Sequence, residues 1–167
     1  YGFVSVDIDR AARIATISIK APETAPPADI DGLVAQGAAF WPLQAARELD
    51  DAILHLRLSA LELAMLLFKR HGDAANVVAC DTFLEANKAH WLVNEIRHYW
   101  KRVLKRIDVT SRTLVTLVEP GSCFAGTLAE LVFAADRSYM LIGSRQGDNR
   151  KPPALQLTAM NFGPYPM

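Results

Sequence analysis

The sequence predicts an α/β fold in which helices alternate with strands and the central strands run largely parallel. Three observations carry this prediction: alternating polar and apolar residues near the start, two continuous apolar runs further on, and helical periodicity around those runs. Alternation of strands with helices favours a parallel sheet, because a helix between two strands returns the chain to the same end of the sheet.

A β-hairpin is predicted at the start of the chain. Residues 3–20, FVSVDIDRAARIATISIK, alternate apolar and polar positions on both sides of the short turn DRAAR. Such alternation is typical of two strands that each bury one face. Residues 21–32, APETAPPADIDG, are interpreted as a loop because they are rich in proline, which lacks the backbone N–H that helices and sheets use.

The middle of the chain predicts two long helices separated by a strand and a loop. Residues 41–60 show apolar residues at helical spacing, with Pro42 where a first helical turn accepts it. Residues 61–70 are a continuous apolar run that predicts a buried strand, although its length also suits a short helix. Residues 71–87, HGDAANVVACDTFLEAN, are interpreted as strand end and loop. Residues 88–108 predict an amphipathic helix whose buried face is expected to hold Trp91, Ile96, Tyr99, Val103 and Leu104.

The last third predicts a strand, a helix, a second strand and a loop. Residues 112–121, RTLVTLVEPG, form a buried strand that Pro120 stops. Residues 127–136, TLAELVFAAD, are helical, and residues 137–144, RSYMLIGS, return to a strand. The remaining polar stretch RQGDNRKPP is interpreted as a loop.

The amino-acid composition and the charge balance limit the classes of protein to which this chain can belong. Hydrophobic residues make up 51% and charged residues 22% of the 167 residues, which is typical of a folded globular domain. Lys+Arg and Asp+Glu are equal at 18 each, a balance that gives no support to a nucleic-acid or anionic-membrane partner. No apolar run approaches the roughly 20 residues of a membrane span.

The cysteines and the chain ends add two further expectations. Cys80 and Cys123 form no CxxC motif and no Cys/His ligand set, so reduced thiols of a cytoplasmic protein are expected rather than a zinc site. The sequence starts at Tyr1 and stops at the turn-rich NFGPYPM, which resembles a loop inside a longer protein. We therefore expect a single domain over residues 1–167 that is truncated at its C-terminal end.

A candidate site lies at residues 119–137, EPGSCFAGTLAELVFAADR, directly after the second predicted buried strand. Small residues crowd this stretch, and one carboxylate, Glu130, stands inside an otherwise apolar segment. A helix that opens near Gly126 presents first-turn amides without intrahelical partners, with the positive end of the helix dipole behind them. Such amides can hold negative charge that develops on a substrate oxygen. Glu130, about one turn further on, is placed to face the same pocket as a general acid or base.

This arrangement resembles the crotonase (enoyl-CoA hydratase/isomerase) superfamily. The stretch EPGSCFAGTLAELVFAADRSYML keeps the family order of strand, small-residue turn, catalytic glutamate, short helix and closing aspartate, here Asp136. The preceding chain agrees in order, with an opening hairpin, the helix ELDDAILHL, the strand LELAMLLFKRHG and the segment NVVACDTF. The resemblance implies a crotonase-type spiral core of repeated ββα units, of which this chain is the N-terminal portion.

The resemblance also implies roles for individual residues. Glu130 matches the catalytic acid, and Cys80 matches the residue whose amide is the first oxyanion donor. Gly126 or Thr127 matches the second donor. In the family, the two amides bind the thioester carbonyl of a coenzyme A substrate and stabilise its enolate. Coenzyme A is then part of the substrate, and no separate cofactor or metal is implied.

The sequence departs from the family pattern at three places, and these departures restrict the reactions that the resemblance implies. GSCFAGT replaces the commoner triple-glycine turn, and VVACDTF replaces the usual Phe-x-Ala-Gly-Ala-Asp. The second catalytic glutamate of classical hydratases is expected shortly before GPYP, where LTAMNFG contains no acid. Hydration by two glutamates is therefore disfavoured. The phrases EPGSCFAGTLAEL, AADRSYML and LTAMNFGPYPM instead resemble the ring-opening lyases of aerobic, coenzyme A-dependent benzoate degradation.

That closer resemblance implies a reaction and a setting. The ring of 2,3-epoxy-2,3-dihydrobenzoyl-CoA is opened with water to 3,4-dehydroadipyl-CoA semialdehyde and formate. The enzyme is expected to be cytoplasmic and homo-oligomeric, with an acyl-CoA substrate and neither nucleic acid nor membrane as partner. Two other functions stay open: a generic enoyl-CoA hydratase or isomerase, and a non-catalytic crotonase-like subunit that binds acyl-CoA.

Plainer interpretations stand beside these roles. Glu130 can be an ordinary helix acid whose side chain reaches solvent or a helix-start amide, and Cys80 can be a buried thiol. Gly126 and Thr127 can serve close packing of a helix on a strand. Residues 145–153 either contact the phosphates of coenzyme A or form a solvated polar loop. The four histidines show no metal or triad spacing, and no role is assigned to them.

Overall fold

The computed structural model describes residues 1–143, 147–150 and 152–165. Within them, five strands form one sheet in the order β1-β2-β3-β4-β5. β1 and β2 pair antiparallel as the predicted hairpin, and the other three neighbouring pairs are parallel. The predicted α/β fold with parallel central strands is therefore confirmed. The strands are β1 (Val4–Asp9), β2 (Ile14–Lys20), β3 (Met65–His71), β4 (Thr113–Val118) and β5 (Arg137–Met140).

Five α-helices account for nearly half of the described chain outside the strands. Three short 3₁₀ turns connect or extend them, at Gly37–Ala39, Gly126–Ala129 and Ala159–Asn161. The second and third of these turns belong to the candidate site described below. The helices are α1 (Ile30–Gln36), α2 (Trp41–Ser59), α3 (Ala74–Ala86), α4 (Trp91–Asp108) and α5 (Glu130–Ala134).

The core lies against one face of the sheet. Along β2 and β3, buried residues alternate with partly exposed ones, and the pairing aligns buried Ile17 with buried Phe68. Helix α2 packs against β1 and α4. The indole of Trp100 on α4 donates a hydrogen bond to the carbonyl oxygen of Pro42 at 2.7 Å, which fastens α4 to the start of α2. The strand predicted for residues 61–70 and the helix predicted for 41–60 are both confirmed.

Helix α3 corrects the loop that was predicted over residues 71–87. Asp73 caps the helix by accepting a hydrogen bond from the backbone N–H of Ala75 at 2.8 Å. The buried stripe of α3 includes the carboxylate of Asp81 beside Val77 and Leu84. A polar residue on the buried face interrupts the apolar periodicity by which an amphipathic helix is recognised, and for that reason the pattern was missed.

Helix α4 confirms the predicted helix but corrects one of its buried residues. Trp91 is 68% exposed, whereas Ile96, Val103 and Leu104 are buried and Tyr99 is half-buried. Trp91 is the first residue of α4 and lies off the stripe of residues that recur at three- and four-residue spacing. That stripe consists of Val93, Ile96, Trp100, Val103, Leu104 and Ile107.

The segment after β4 is less regular than predicted. The helix expected over residues 127–136 is divided into the 3₁₀ turn Gly126–Ala129 and the five-residue helix α5. Asp136 lies beyond the end of α5, and its carboxylate accepts a hydrogen bond from the backbone N–H of Leu114 at 2.8 Å. Strand β5 lies inside the predicted strand. The predicted loop at residues 145–153 falls partly outside the described residues, since 145, 146 and 151 are not among them.

Candidate functional site

The chain leaves β4 through a tight turn that sets the position of the site. The backbone N–H of Ser122 donates to the carbonyl oxygen of Glu119 at 2.9 Å, and the Ser122 hydroxyl accepts from the Glu119 backbone N–H at 2.9 Å. Gly121 has φ +82°, a conformation that side-chain-bearing residues rarely adopt. The small residues of this stretch therefore serve a compact reversal that leads directly to Gly126.

Gly126 is the point where the turn meets helix α3. Its φ is +47°, and a Cβ atom at this position would overlap the carboxylate of Asp81. Its backbone N–H donates to the carbonyl oxygen of Gln156 at 2.8 Å. Both the backbone conformation and the available space therefore require glycine.

Asp81 binds the 3₁₀ turn Gly126–Ala129 through its carboxylate. One carboxylate oxygen accepts from the backbone N–H of Thr127 at 2.7 Å, and the other accepts from the Thr127 hydroxyl at 2.6 Å. The Thr158 hydroxyl donates to the first of these oxygens at 2.9 Å. Three donors thus converge on a side chain that is only 2% exposed.

Glu130 begins helix α5 and is also buried. It is 2% exposed, and one carboxylate oxygen accepts a hydrogen bond from the side-chain amide of Asn161 at 2.5 Å. The same Asn161 amide nitrogen donates to the carbonyl oxygen of Gly126 at 2.9 Å. The Glu130 side chain is therefore enclosed and does not reach solvent, and its catalytic role stays a prediction.

A capping box joins the two carboxylates. The backbone N–H of Thr158 donates to the side-chain oxygen of Asn161 at 2.8 Å. Thr158, which bonds to Asp81, therefore holds Asn161, which bonds to Glu130. We call these five residues, Asp81, Thr127, Glu130, Thr158 and Asn161, the acid cluster. It joins α3, α5 and the two 3₁₀ turns into one hydrogen-bonded unit.

Burial changes the acidity of both carboxylates. It raises the pKa of Asp81 to about 6, although the hydrogen bonds from Thr127 and Thr158 favour the charged form. Burial also raises the pKa of Glu130, and the negative charge of Asp81 adds to that rise. The hydrogen bond from Asn161 and the positive charge of Lys105 act in the opposite direction on the pKa of Glu130. Carboxyl groups with raised pKa values can hold and release a proton near neutral pH.

Cys80 lies next to Asp81 but not in a loop. It stands inside α3, where each backbone N–H bonds to the carbonyl four residues earlier, so the helix presents no free amide at this position. An oxyanion role for this amide stays a prediction, and it would require α3 to open. Burial raises the pKa of the Cys80 thiol to about 12. The residue lines a cavity of about 200 Å³ together with Phe40, Trp41 and the loop around Pro22.

The amides of Gly126 and Thr127 already have acceptors. The Gly126 N–H bonds to the Gln156 carbonyl, and the Thr127 N–H bonds to the Asp81 carboxylate. Their predicted oxyanion role stays a prediction that requires a substrate oxygen to replace one of these acceptors. The structure brings Gly126, Thr127 and Glu130 together as predicted, and it places Cys80 one residue from the cluster.

Three members of the acid cluster were not predicted from the sequence: Asp81, Thr158 and Asn161. Asp81 carried a usable signal, because it matches the aspartate that ends the family phrase Phe-x-Ala-Gly-Ala-Asp. Thr158 and Asn161 lie in LTAMNFG, the stretch that was searched only for an acid. A capping box has a local sequence signature, but Asn in place of Glu or Gln obscured it here.

Two other kinds of site find no support in the described residues. No group of three or more His, Cys, Asp or Glu side chains there is arranged to hold a metal ion. None of the helices within them has the length and apolar character needed to cross a membrane. Cys123 is buried, and its thiol donates to the carbonyl oxygen of His71 at 3.4 Å.

Comparison with known proteins supports the resemblance stated above. No protein-family profile matches the chain. The chain is 45% identical over all 167 of its residues to benzoyl-CoA-dihydrodiol lyase from Aromatoleum evansii. It spans 29% of the length of that curated relative.

Solved structures share the fold at low sequence identity. The enoyl-CoA hydratase of Geobacillus kaustophilus HTA426 matches 81% of this chain and 44% of its own, with a TM-score of 0.55 and 14% identity. An enoyl-CoA hydratase/isomerase from Xanthobacter autotrophicus Py2 matches 83% of this chain and 45% of its own, with the same TM-score and identity. Identities this low support a shared fold and nothing finer. The chain therefore has the crotonase-type α/β fold, and over its whole length it resembles a part of benzoyl-CoA-dihydrodiol lyase.

Proposed function

We propose that the protein carrying this chain is a lyase that acts on a coenzyme A thioester and opens the ring of an aromatic-derived acyl group. The observation that carries the proposal is the 45% identity over every residue of the chain to a protein named benzoyl-CoA-dihydrodiol lyase. Because the chain spans 29% of that relative, the proposal concerns the whole protein and not this segment alone.

The proposed reaction opens 2,3-epoxy-2,3-dihydrobenzoyl-CoA with water and gives 3,4-dehydroadipyl-CoA semialdehyde and formate, as a step of benzoate degradation. Cleavage of a carbon–carbon bond next to a thioester is chemically reasonable, since a polarised thioester carbonyl can accept the electron pair as an enolate. The part of the site within this chain is the acid cluster. Within it, burial raises the pKa of the Glu130 carboxylate, which suits proton transfer by that residue during ring opening.

Within the cluster, Glu130 is the proposed catalytic residue. Asn161 donates to one carboxylate oxygen of Glu130, and no donor to the other oxygen is found among the described residues. Asp81, in contrast, uses both oxygens on Thr127 and Thr158. Glu130 is therefore the carboxylate with capacity left for a substrate or a water molecule.

Several accompanying expectations belong to the proposal as well. The substrate would carry coenzyme A as part of itself, and no further cofactor is needed for the chemistry described. A cytoplasmic location and assembly into homo-oligomers are proposed from the resemblance alone, as is the absence of nucleic-acid and membrane partners. Contact of the 145–153 loop with coenzyme A phosphates is also proposed, and of this loop the structure describes 147–150, 152 and 153.

A generic enoyl-CoA hydratase or isomerase is the second candidate, and one observation favours it. Asp81 brings a second carboxylate near Glu130, which the region before GPYP does not supply. A non-catalytic crotonase-like subunit that binds acyl-CoA is the third candidate, and the enclosed Glu130 argues against it.

One assay separates these candidates. The full-length protein is incubated with epoxybenzoyl-CoA and, separately, with crotonyl-CoA, and formate release and hydration are measured. Release of formate from the epoxide with little crotonyl-CoA hydration is the expected result. Hydration of crotonyl-CoA without formate release would favour the hydratase, and turnover of neither substrate would favour the binding subunit.

A further inference from the structure

The position of Asp81 is unusual for a carboxylate. It lies within helix α3, is 2% exposed, and receives three hydrogen bonds from residues far away in the sequence. No lysine or arginine forms an ion pair with it among the residues that the structure describes. Burying a carboxylate without a cationic partner costs stability, and the three hydrogen bonds offset part of that cost.

Those hydrogen bonds lead to Glu130 by two routes. The first passes through Thr127, which belongs to the 3₁₀ turn that runs directly into Glu130. The second passes through Thr158, whose backbone N–H holds the side-chain oxygen of Asn161, and Asn161 donates to the Glu130 carboxylate. Both the backbone and the side chain of Glu130 are thus connected to one carboxylate on α3.

We propose that Asp81 is a positioning residue for Glu130. It holds the turn Gly126–Ala129 through Thr127, and it orients the Glu130 carboxylate through Thr158 and Asn161. This inference rests on the proposed function, because it takes Glu130 as the catalytic carboxylate.

Two substitutions at Asp81 separate geometry from charge. Asp81→Asn keeps an oxygen that can accept from Thr127 N–H and Thr158, and its amide can donate to the Thr127 hydroxyl, so the geometry survives without the charge. Asp81→Leu removes the hydrogen bonds and keeps the number and branching of the side-chain heavy atoms, although the leucine side chain is larger. Thr158 offers a second matched pair, because Thr158→Ser keeps the hydroxyl and Thr158→Val removes it with nearly the same shape.

The kinetic arm uses the full-length protein at a temperature where every variant is shown to be folded by circular dichroism. We expect Asp81→Leu and Thr158→Val to lower kcat roughly 10- to 100-fold while KM changes by less than about threefold, because a misplaced catalytic group slows chemistry without weakening binding. Asp81→Asn and Thr158→Ser are expected to retain kcat within about fivefold. Equal losses in Thr158→Val and Thr158→Ser, or unchanged kcat in Asp81→Leu, would overturn the proposal.

A structural arm makes the test independent of turnover. Selective ¹⁵N labelling of asparagine reports the side-chain amide of Asn161, whose resonance depends on its hydrogen bond to Glu130. The resonance is expected to move toward that of a free amide in Asp81→Leu and Thr158→Val, and to stay in place in Thr158→Ser. A resonance that stays in place in all variants would overturn the positioning role even if the protein turned over no thioester.

The two arms distinguish failure of this inference from failure of the proposed function. Wild-type protein that opens no epoxybenzoyl-CoA, with an Asn161 resonance that responds to Asp81→Leu, would reject the proposed function and keep the positioning role. Wild-type protein that is active, with kcat and the Asn161 resonance unaffected by Asp81→Leu, would keep the proposed function and reject the positioning role.

Two titratable groups near Asp81 and Glu130 are the same in every variant. Lys105 of α4 faces Glu130, and Tyr165 faces both carboxylates.

Discussion

Glu130 illustrates how enclosure alters the chemistry of a single residue. A carboxylate on a solvated helix face keeps an ordinary pKa, whereas burial and the charge of Asp81 both raise the pKa of Glu130. The same enclosure makes electrostatic interactions at the Glu130 carboxylate stronger than on a solvated surface.

Glu130→Gln is expected to abolish most activity of the full-length protein. Gln keeps the size and can retain the contact with Asn161, but it cannot exchange a proton, so kcat is expected to fall roughly 100- to 10,000-fold. Formate release from epoxybenzoyl-CoA measures the effect. Glu95→Gln, on the exposed face of α4, is the matched control and is expected to leave kcat unchanged. Near-normal turnover by Glu130→Gln would exclude a proton-transfer role.

Arg70 is a second buried charge, and it offers a prediction about stability. It is 3% exposed, none of its three guanidinium nitrogens has a hydrogen-bond partner in the described residues, and the ring of Phe124 lies 5.2 Å from its guanidinium carbon. Burial lowers the pKa of Arg70 to about 9. A buried guanidinium without a hydrogen-bond acceptor among the described residues is expected to be destabilising.

Arg70→Met is therefore expected to increase the free energy of unfolding by about 1–3 kcal/mol, measured by urea denaturation. Lys69→Met is the control, because Lys69 precedes it on β3, points to the other face of the sheet and remains half-exposed. That substitution is expected to change the free energy by less than about 0.5 kcal/mol. Destabilisation by Arg70→Met would show that the guanidinium has a stabilising partner in the full-length protein.

At the scale of the elements, the close contact between α3 and the 3₁₀ turn Gly126–Ala129 builds the site. It is possible only because residue 126 has no side chain, since a Cβ there would overlap the Asp81 carboxylate. Two hydrogen bonds from Thr127 to Asp81 hold the turn against the helix, and glycine at position 126 leaves the space for this contact.

Gly126→Ala is expected to destabilise the protein by about 2–5 kcal/mol, because it combines an unfavourable positive φ with steric overlap. Gly37→Ala provides the control. Gly37 also has a positive φ, +53°, but nothing lies within 4 Å of the Cβ position, so only the backbone term of about 1–3 kcal/mol is expected. Thermal and urea unfolding measure both variants. Equal destabilisation by Gly126→Ala and Gly37→Ala would mean that α3 can move away from the turn at little cost in free energy.

At the scale of the whole molecule, the buried carboxylates connect stability to pH. The pKa of Asp81 is raised in the folded state, from 3.8 to about 6, so the folded protein binds this proton more tightly than the unfolded chain does. The stabilisation that follows is fully present below about pH 4 and is lost as the pH rises through about 6. Glu130 acts in the same direction, since its pKa is also raised.

Asp81→Asn is expected to remove the Asp81 part of this dependence while keeping its hydrogen bonds. The free energy of unfolding of the variant, relative to wild type, should therefore rise between pH 4 and pH 6, by on the order of 2 kcal/mol. Urea denaturation at a series of pH values measures the difference, which cancels contributions from other carboxylates. A difference that stays constant or falls over this range would contradict the raised pKa of Asp81.

Much of the fold was predictable because its signals are local. The hairpin, the strands β3 and β4, and helices α2 and α4 each show a period of two residues, a continuous apolar run or a helical stripe within their own sequence. The small-residue turn and Glu130 were also recognisable, since the turn chemistry and the acid lie within a dozen residues of each other. Trp91 was misplaced because the buried stripe of α4 depends on which face meets α2.

By itself, the sequence determined the α/β class, the crotonase-type resemblance and the position of the acid at residue 130. Only the tertiary structure decided that residues 74–86 form a helix and that this helix delivers a second carboxylate to the site. The hydrogen bonds of Asp81 reach Thr127 and Thr158, which are 46 and 77 positions away in the sequence. Hydrogen bonds over such separations form only when packing has brought the elements together, and a polar residue on a buried helix face gives no local sign of its distant partner.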